Sequence, residues 1–135
     1  MSTYIITDDD RRRISDVLES YRPYLASERE QIVNLRGKLA EAVVVDAAHL
    51  SPDVVTMEST VCVMDMEDRG ISTYTLVYPF DAKGGRLSLL SPLGTALLGL
   101  TRGKIFECRV GGRKWTLAVR EITHQPERSL QRMRA

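Results

Sequence analysis

The stretch IFECRVGGRKWTLAVREI, residues 105–122, decides the fold of this 135-residue chain. It contains two runs rich in apolar and β-branched residues, 105–110 and 114–122, on either side of Gly111 and Gly112. Two consecutive glycines can both adopt a positive φ, which the commonest two-residue turn of a β-hairpin requires. The stretch therefore predicts an antiparallel strand pair near the end of the chain.

Three more strands are expected upstream of this hairpin. Alternating residues from Val61 to Met66 and a β-rich run over 71–78 predict a second strand pair around the acidic turn 65–70. A loop over 81–85 then leads into a short strand at 86–90. Together these runs predict a four- or five-stranded antiparallel sheet.

One short helix is expected to pack against that sheet. Ser91 suits the N-cap of a helix, Pro92 suits its first turn, and Gly99 suits its end. Residues 51–127 are thus expected to form an α+β body. We expect the basic segment 128–135 to be a flexible tail, because it is polar and terminal.

The first 50 residues have a helical period. An apolar stripe follows the acidic start at 8–10 and ends at Pro23, and a second stripe follows Ser27 and Glu30, which have the spacing of a capping box. The two stripes predict an antiparallel helical hairpin over 1–50. Its arms of ~14 residues extend only roughly 20 Å, so it is a short stub.

Composition excludes several classes of protein. With 19 basic and 18 acidic residues the net charge is +1, which does not indicate a polyelectrolyte partner. Bases are concentrated in 82–120, where Glu107 is the single acid.

Cys62 and Cys108 lie in separate alternating runs and are expected to be free core thiols of a cytoplasmic protein. The longest apolar stretch, 87–100, is too short and too interrupted for a membrane span.

The chain has no recognisable catalytic or metal-binding motif. His49 and His124 lie at element ends without a partner motif for nucleophilic catalysis. The acidic cluster Asp65, Glu67 and Asp68 is better explained as a solvated turn than as a cation site. Neither glycine pair opens a helix, as a phosphate loop would. We therefore expect no enzymatic activity, no metal and no cofactor.

Specific motifs in the body resemble a known family. The string RLSLLSPLGTALLGL, residues 86–100, resembles the signature of the C-terminal domain of Gre transcript-cleavage factors. The segments DVVTM at 53–57, TLVYP at 75–79 and THQPE at 123–127 extend the likeness over about 50–127. Together they most resemble the shorter branch of that family, the regulators of nucleoside diphosphate kinase (Rnk).

The resemblance implies a fold and a partner. It implies an FKBP-like body with an N-terminal coiled-coil finger, docked at the secondary-channel rim of bacterial RNA polymerase. In Gre factors a long finger carries acidic tip residues that help to hold a metal ion and promote cleavage of backtracked RNA. A stub of roughly 20 Å is too short for that task, so we expect a regulator that competes with Gre factors without stimulating cleavage.

The same resemblance implies the contact residues. The expected contact centres on Ser91, Pro92 and Leu93, where a strand turns into a helix with a rigid proline. The turn 101–104 is basic, whereas it is commonly acidic in the family. Arg102 and Lys104 are therefore expected to steer the protein towards an acidic polymerase surface.

Three alternatives stay open from the sequence. FKBP-like bodies include prolyl isomerases with aromatic-lined pockets, and a direct partner such as nucleoside diphosphate kinase would fit the branch name. A basic sheet face would allow non-specific DNA contact. We expect a monomer, although the helical stub offers an apolar edge to a second copy. The residues behind these alternatives are five aromatics (Tyr74, Tyr78, Phe80, Phe106, Trp115) and six bases (Arg102, Lys104, Arg109, Arg113, Lys114, Arg120).

Overall fold

A computed structural model describes residues 3–134 of the chain. Its elements, in chain order, are β1 (Ile5–Thr7), α1 (Asp8–Ser20), α2 (Ala26–Glu41), β2 (Val43–Val45), β3 (Thr60–Asp65), β4 (Ile71–Val77), β5 (Leu87–Ser88), α3 (Pro92–Leu97), β6 (Ile105–Val110), β7 (Arg113–His124) and α4 (Pro126–Arg134). Single 3₁₀ turns lie at Ala47–His49 and Pro79–Asp81.

The predicted α+β class, with a helical hairpin before a sheet and one small helix against it, is confirmed. The five strands lie in the order β5-β4-β3-β7-β6. All neighbours are antiparallel except β4 and β5, which pair in parallel with Leu76 opposite Leu87. The sheet is therefore mixed at one edge, because the chain between Tyr78 and Arg86 crosses back before β5 begins.

The predicted hairpin closes as the glycine pair requires. Gly111 has φ 59° and Gly112 has φ 81°, and Val110 lies opposite Arg113. Both central residues of the turn are thus in the left-handed region, where glycine has no Cβ penalty.

A small parallel pair, β1 with β2, was not expected. Ile5 lies opposite Val43, and the N–H of Val43 donates to the carbonyl of Tyr4 at 2.8 Å. Strands of three residues are too short for an alternating pattern to reveal them. The pair brings the two ends of the helical hairpin together beside the sheet.

One hydrophobic core serves both the helical hairpin and the sheet. Ile14 and Leu35 from the helices are fully buried together with Val61, Leu76 and Val119 from the strands. At roughly 1.5–3 kcal/mol for each large apolar side chain removed from water, this shared core stabilises both parts. Both cysteines are free; Cys108 is buried and Cys62 is half-buried.

The start of α2 differs in detail from the prediction. The helix begins at Ala26, and Glu28, not the predicted Ser27 and Glu30 pair, closes its first turn. One Glu28 oxygen accepts from the N–H of Tyr24 at 3.1 Å and of Leu25 at 3.4 Å, and the other accepts from the Tyr21 hydroxyl at 2.7 Å. The capping-box spacing recurs by chance two residues later.

The segment 128–135, expected as a flexible tail, is helical over the residues that the structure describes, since α4 spans Pro126–Arg134 and Ala135 lies outside them. Gln125 donates to the carbonyls of Ser51 at 2.9 Å and Val54 at 2.8 Å. Gln131 donates to the carbonyls of Ala47 at 2.6 Å and Leu50 at 3.1 Å. These long-range bonds hold a segment whose composition alone predicts mobility.

A buried acid joins α1 to the loop before β3. Asp10 is 5% exposed, and its Oδ2 accepts from the N–H of Met57 at 3.0 Å. Burial raises the pKa of Asp10 to about 7, against the lowering effect of that hydrogen bond, and the nearby charge of Glu127 raises the pKa further. Asp10 therefore favours the protonated form in the folded protein up to about neutral pH.

Candidate functional site

The strand-to-helix corner at Ser91 is rigid. The Ser91 Oγ accepts from the N–H of Gly94 at 3.0 Å and donates to the carbonyl of Ser88 at 2.6 Å. Pro92 follows in the first turn of α3, where its fixed φ suits a helix start. The corner is therefore held in one conformation by bonds on both sides of Ser91, as the predicted N-cap requires.

The backbone of Gly94 lies so close to the Ser88 carbonyl that the corner has no room for a side chain at position 94. A Cβ on Gly94 would lie 2.0 Å from the carbonyl oxygen of Ser88, far inside van der Waals contact. The Thr95 hydroxyl adds a bond to the carbonyl of Leu89 at 2.7 Å. The sequence analysis missed Gly94, whose position three residues after an N-cap serine is the signal that could have found it.

A buried lysine from α2 holds the other end of α3. The Lys38 Nζ donates to the carbonyls of Thr95 at 2.7 Å, Ala96 at 3.0 Å and Leu98 at 2.8 Å, and it lies 4.4 Å from the centre of the Tyr4 ring. Burial lowers the pKa of Lys38 to about 7. The three carbonyls at a helix C-terminus favour the ammonium form and oppose this shift. Lys38 thereby fixes the helical hairpin to the C-terminal end of α3.

Leu93 lies beside a concave, mainly apolar hollow that is lined by side chains of the sheet. The hollow has a volume of about 390 Å³ and is lined mainly by Tyr74, Leu93, Cys108 and Trp115. The Arg113 guanidinium lies over the Trp115 ring at 3.8 Å from its centre. Leu93 is half-buried, so it packs on the core and still faces the hollow.

The two predicted steering residues lie on the turn before β6. Arg102 and Lys104 are both exposed, and the Arg102 Nε lies 3.5 Å from Asp53 Oδ1. Lys104 and Pro92 line the same groove, a second hollow that lies between α2 and β6. The structure thus brings Lys104 near the corner, while Arg102 is outside that groove.

The tip of the helical hairpin is apolar. Tyr24 is 92% exposed and Leu25 is 61% exposed. The one acidic side chain within this tip, Glu28, uses both oxygens in bonds to the tip backbone and to Tyr21. Its carboxylate is therefore already occupied within the chain.

The histidines and aromatic residues considered as catalytic or ligand-binding groups lie apart from one another. His49 and His124 are exposed, and within residues 3–134 no three His, Cys, Asp or Glu side chains come together as metal ligands would. The five aromatics do not share one pocket, because Tyr78 stacks on Phe80 with a centroid distance of 5.7 Å, whereas Tyr74 and Trp115 line the concave hollow.

Half of the six basic residues considered for DNA contact have an acidic neighbour. Besides Arg102, Arg113 lies 3.5 Å from Glu67 and Lys114 lies 3.5 Å from Glu107. These pairs reduce the net positive field of the sheet surface. No helix in the described part of the chain has the length and apolarity that crossing a bilayer requires.

The chain is similar to several known proteins. The family model described as "Transcription elongation factor, GreA/GreB, C-term" matches residues 50–124. The transcription elongation factor GreA of Caulobacter vibrioides is 33% identical over 110 residues, which cover 76% of this chain and 70% of that protein. The regulator of nucleoside diphosphate kinase of Escherichia coli (strain K12) is 34% identical over 128 residues, 93% of this chain and 92% of that protein.

The fold comparison agrees with the sequence comparison. A prokaryotic transcription elongation factor GreA/GreB from Nitrosomonas europaea superposes with a TM-score of 0.73 at 33% identity, covering 92% of this chain and 100% of that structure. These relatives are named as transcription factors or as a regulator, and none of these names denotes an enzyme. The matched region includes the whole corner, the concave hollow and the β6–β7 hairpin, and the chain belongs to the GreA/GreB transcription elongation factor family.

Proposed function

We propose that the protein binds bacterial RNA polymerase at the rim of the secondary channel and there competes with Gre-type factors. The observation that supports this most is the corner at Ser91, Pro92 and Leu93, which two hydrogen bonds of Ser91 hold rigid beside an open apolar hollow. Family membership supplies the class of partner.

The corner has the physical properties of a binding anchor. A side chain that is already ordered loses little conformational entropy on binding, so more of the contact energy appears as affinity. Leu93 and Trp115 offer apolar area on one side of the corner, and Pro92 adds a rigid apolar surface. Trp115 is of the residue type that most often dominates an interface, because Trp, Tyr and Arg are enriched among the side chains whose truncation costs the most binding energy.

We infer that the protein does not stimulate transcript cleavage. The 16 residues of α2 correspond to roughly 24 Å, which is short for a finger that must enter a channel. Its tip presents Tyr24 and Leu25, and the carboxylate of Glu28 is engaged by three internal hydrogen bonds. A metal ion held by the tip would need free carboxylates, which hard cations prefer as ligands.

Binding to polymerase core, measured by interferometry, tests the proposal. We expect tight binding by the full chain and about tenfold weaker binding, on the order of 1.4 kcal/mol, for Ser91→Asp and for Pro92→Ala. A proline in another first turn, Pro79→Ala, is the matched control and should bind as the unaltered chain does. A GreA competitor should displace the protein, and backtracked complexes should show no added cleavage.

Each part of the proposal has its own contradicting result. Absence of binding at micromolar concentration would overturn the proposal. It would favour the alternative of a metabolic partner such as nucleoside diphosphate kinase, as the name of the Escherichia coli relative suggests. Binding that neither corner variant weakens would place the contact elsewhere on the chain. Cleavage above background would contradict the role inferred for the tip.

Neutralising the two bases of the turn before β6 should slow association. In Arg102→Gln with Lys104→Gln we expect an association rate several-fold lower at low salt and a weaker dependence on ionic strength, because exposed charges steer encounter more than they hold a complex. The dissociation rate should change little. Stopped-flow measurements at two salt concentrations check this, and equal salt slopes for the variant and the unaltered chain would refute the steering role.

A further inference from the structure

The sheet has one uncovered edge that faces a groove. β6 is the last strand in the order β5-β4-β3-β7-β6, and among residues 3–134 its one strand partner is β7. The groove beside it has a volume of about 1120 Å³, with α2 as the opposite wall and α3 at its floor. An unpaired strand edge is a template for a further strand, and many proteins cover or blunt such an edge.

The hairpin register shows which backbone groups point into the groove. In a two-residue hairpin the pair next to the turn, here Val110 and Arg113, is hydrogen-bonded, and bonded and non-bonded pairs alternate along the strands. Ile105, Glu107 and Arg109 therefore direct their N–H and C=O groups away from β7. These groups recur about every 6.8 Å, which is the spacing that the backbone of another extended chain matches.

The α2 wall of the groove contains a glycine, Gly37, whose missing side chain makes room for none of the residues that the structure describes. Gly37 lies within α2, and a Cβ added there would meet no atom within 4 Å. A glycine inside a helix costs about 1 kcal/mol relative to alanine. Because no neighbour in the chain needs the missing side chain, the space above Gly37 is explained if another molecule lies against it. Gly37 and the free edge of β6 line the same groove.

Charge and shape indicate the class of molecule. Lys104 and Arg109 on the β6 side are balanced by Glu30 and Glu41 on α2, so the groove lacks the excess of positive charge that a nucleic acid needs. A second folded copy would bring a whole sheet to a groove that α2 closes on its far side, whereas one extended chain needs only the width of a single strand. A single extended polypeptide needs no excess of positive charge and has the width of one strand, so it meets both conditions.

We infer that this groove binds an extended segment of another protein, which adds as a sixth strand to the free edge of β6 and packs its backbone against Gly37. Main-chain hydrogen bonds supply affinity in this mode of recognition, and alternate side chains supply selectivity. Pro92, Ala96 and Phe106 line the groove, so small or apolar side chains suit the inward positions. This surface is distinct from the concave hollow but shares Pro92 and Lys104 with the proposed polymerase contact, so it is tested with isolated peptides and without polymerase.

A phage-displayed library of random twelve-residue peptides, selected on the full chain, is the probe. We expect enriched peptides to bind with micromolar affinity and to slow hydrogen exchange of the Ile105, Glu107 and Arg109 amides at least about tenfold. In the free protein these three amides should exchange faster than those of Phe106 and Cys108, which face β7.

Two variants with matched controls separate the groove from other surfaces. Glu107→Pro removes one edge-facing N–H and keeps the backbone bonds to β7; it also loses the ion pair of Glu107 with Lys114, for which Glu107→Gln is the control. Gly37→Leu fills the groove while favouring the helix. Each should weaken the peptide at least about tenfold, whereas Glu107→Gln and Ala40→Leu should not. No enrichment over the bare support, indifference to Glu107→Pro, or protection confined to the concave hollow would overturn the inference.

Discussion

Gly94→Ala is expected to destabilise the protein by about 4 kcal/mol or more, an exceptional cost for one added methyl group. The added Cβ would lie 2.0 Å from the carbonyl oxygen of Ser88 and 2.9 Å from its carbonyl carbon. Both are backbone atoms, so no side chain can rotate away. Relief requires β5 and α3 to separate, which breaks the bonds of Ser91 to Ser88 and Gly94.

Urea denaturation of the two variants Gly94→Ala and Gly37→Ala measures this effect against an internal control. Both substitutions add the same methyl group to a helical glycine, but nothing lies within 4 Å of the Gly37 position. Gly37→Ala should therefore raise the free energy of unfolding by about 0.5–1 kcal/mol through helix propensity alone. Equal midpoints for Gly94→Ala and the unaltered chain would show that the corner is not close-packed.

Asp10→Asn is expected to stabilise the protein at pH 8 by about 2 kcal/mol more than at pH 5. Burial raises the pKa of Asp10 from 3.8 to about 7, so the folded state binds more protons than the unfolded state between these values. The stabilising contribution of the protonated acid is complete below pH 3.8 and is lost as pH rises through about 7. Asparagine keeps an acceptor for the Met57 N–H and never ionises.

The comparison needs a second acid on the same helix. Asp16 is exposed on α1, so Asp16→Asn should change stability by nearly the same small amount at both pH values. Denaturation curves at pH 5 and pH 8 for the three proteins give the two differences directly. A gain from Asp10→Asn that is equal at pH 5 and pH 8 would mean that burial does not control this carboxyl group.

Features set by neighbouring residues could be predicted from the sequence. The turn at Gly111 and Gly112, the N-cap at Ser91 and the end of α3 at Gly99 each depend on a few adjacent residues with restricted backbone angles. The helical hairpin follows from periodicity alone. For the same reason the corner at Ser91 and Pro92 is predictable from its local sequence.

Features set by contacts between distant residues could not be predicted. Lys38 resembles any helical lysine in the sequence, although its position between Leu35 and Leu39 on the apolar stripe is a signal that it is buried. The bonds of Lys38 to α3 and of Gln131 to the segment after β2 join residues 57–84 positions apart. Composition alone therefore does not predict α4, whose contacts lie far away in the sequence.

The strand order has a consequence for biosynthesis. β7 is an interior strand of the sheet, between β3 and β6, yet it is the last of the described strands to leave the ribosome. Until it emerges, β3 and β4 form a nascent hairpin with one long edge open, and the segment 47–54 lacks its anchors at Gln125 and Gln131. Chains generally fold from the N-terminus as they are made, but here the pairing of β3 with β7 closes only after every other strand of the sheet has been made. A ribosome stalled before residue 113 would therefore carry a chain with the β3 edge exposed to aggregation.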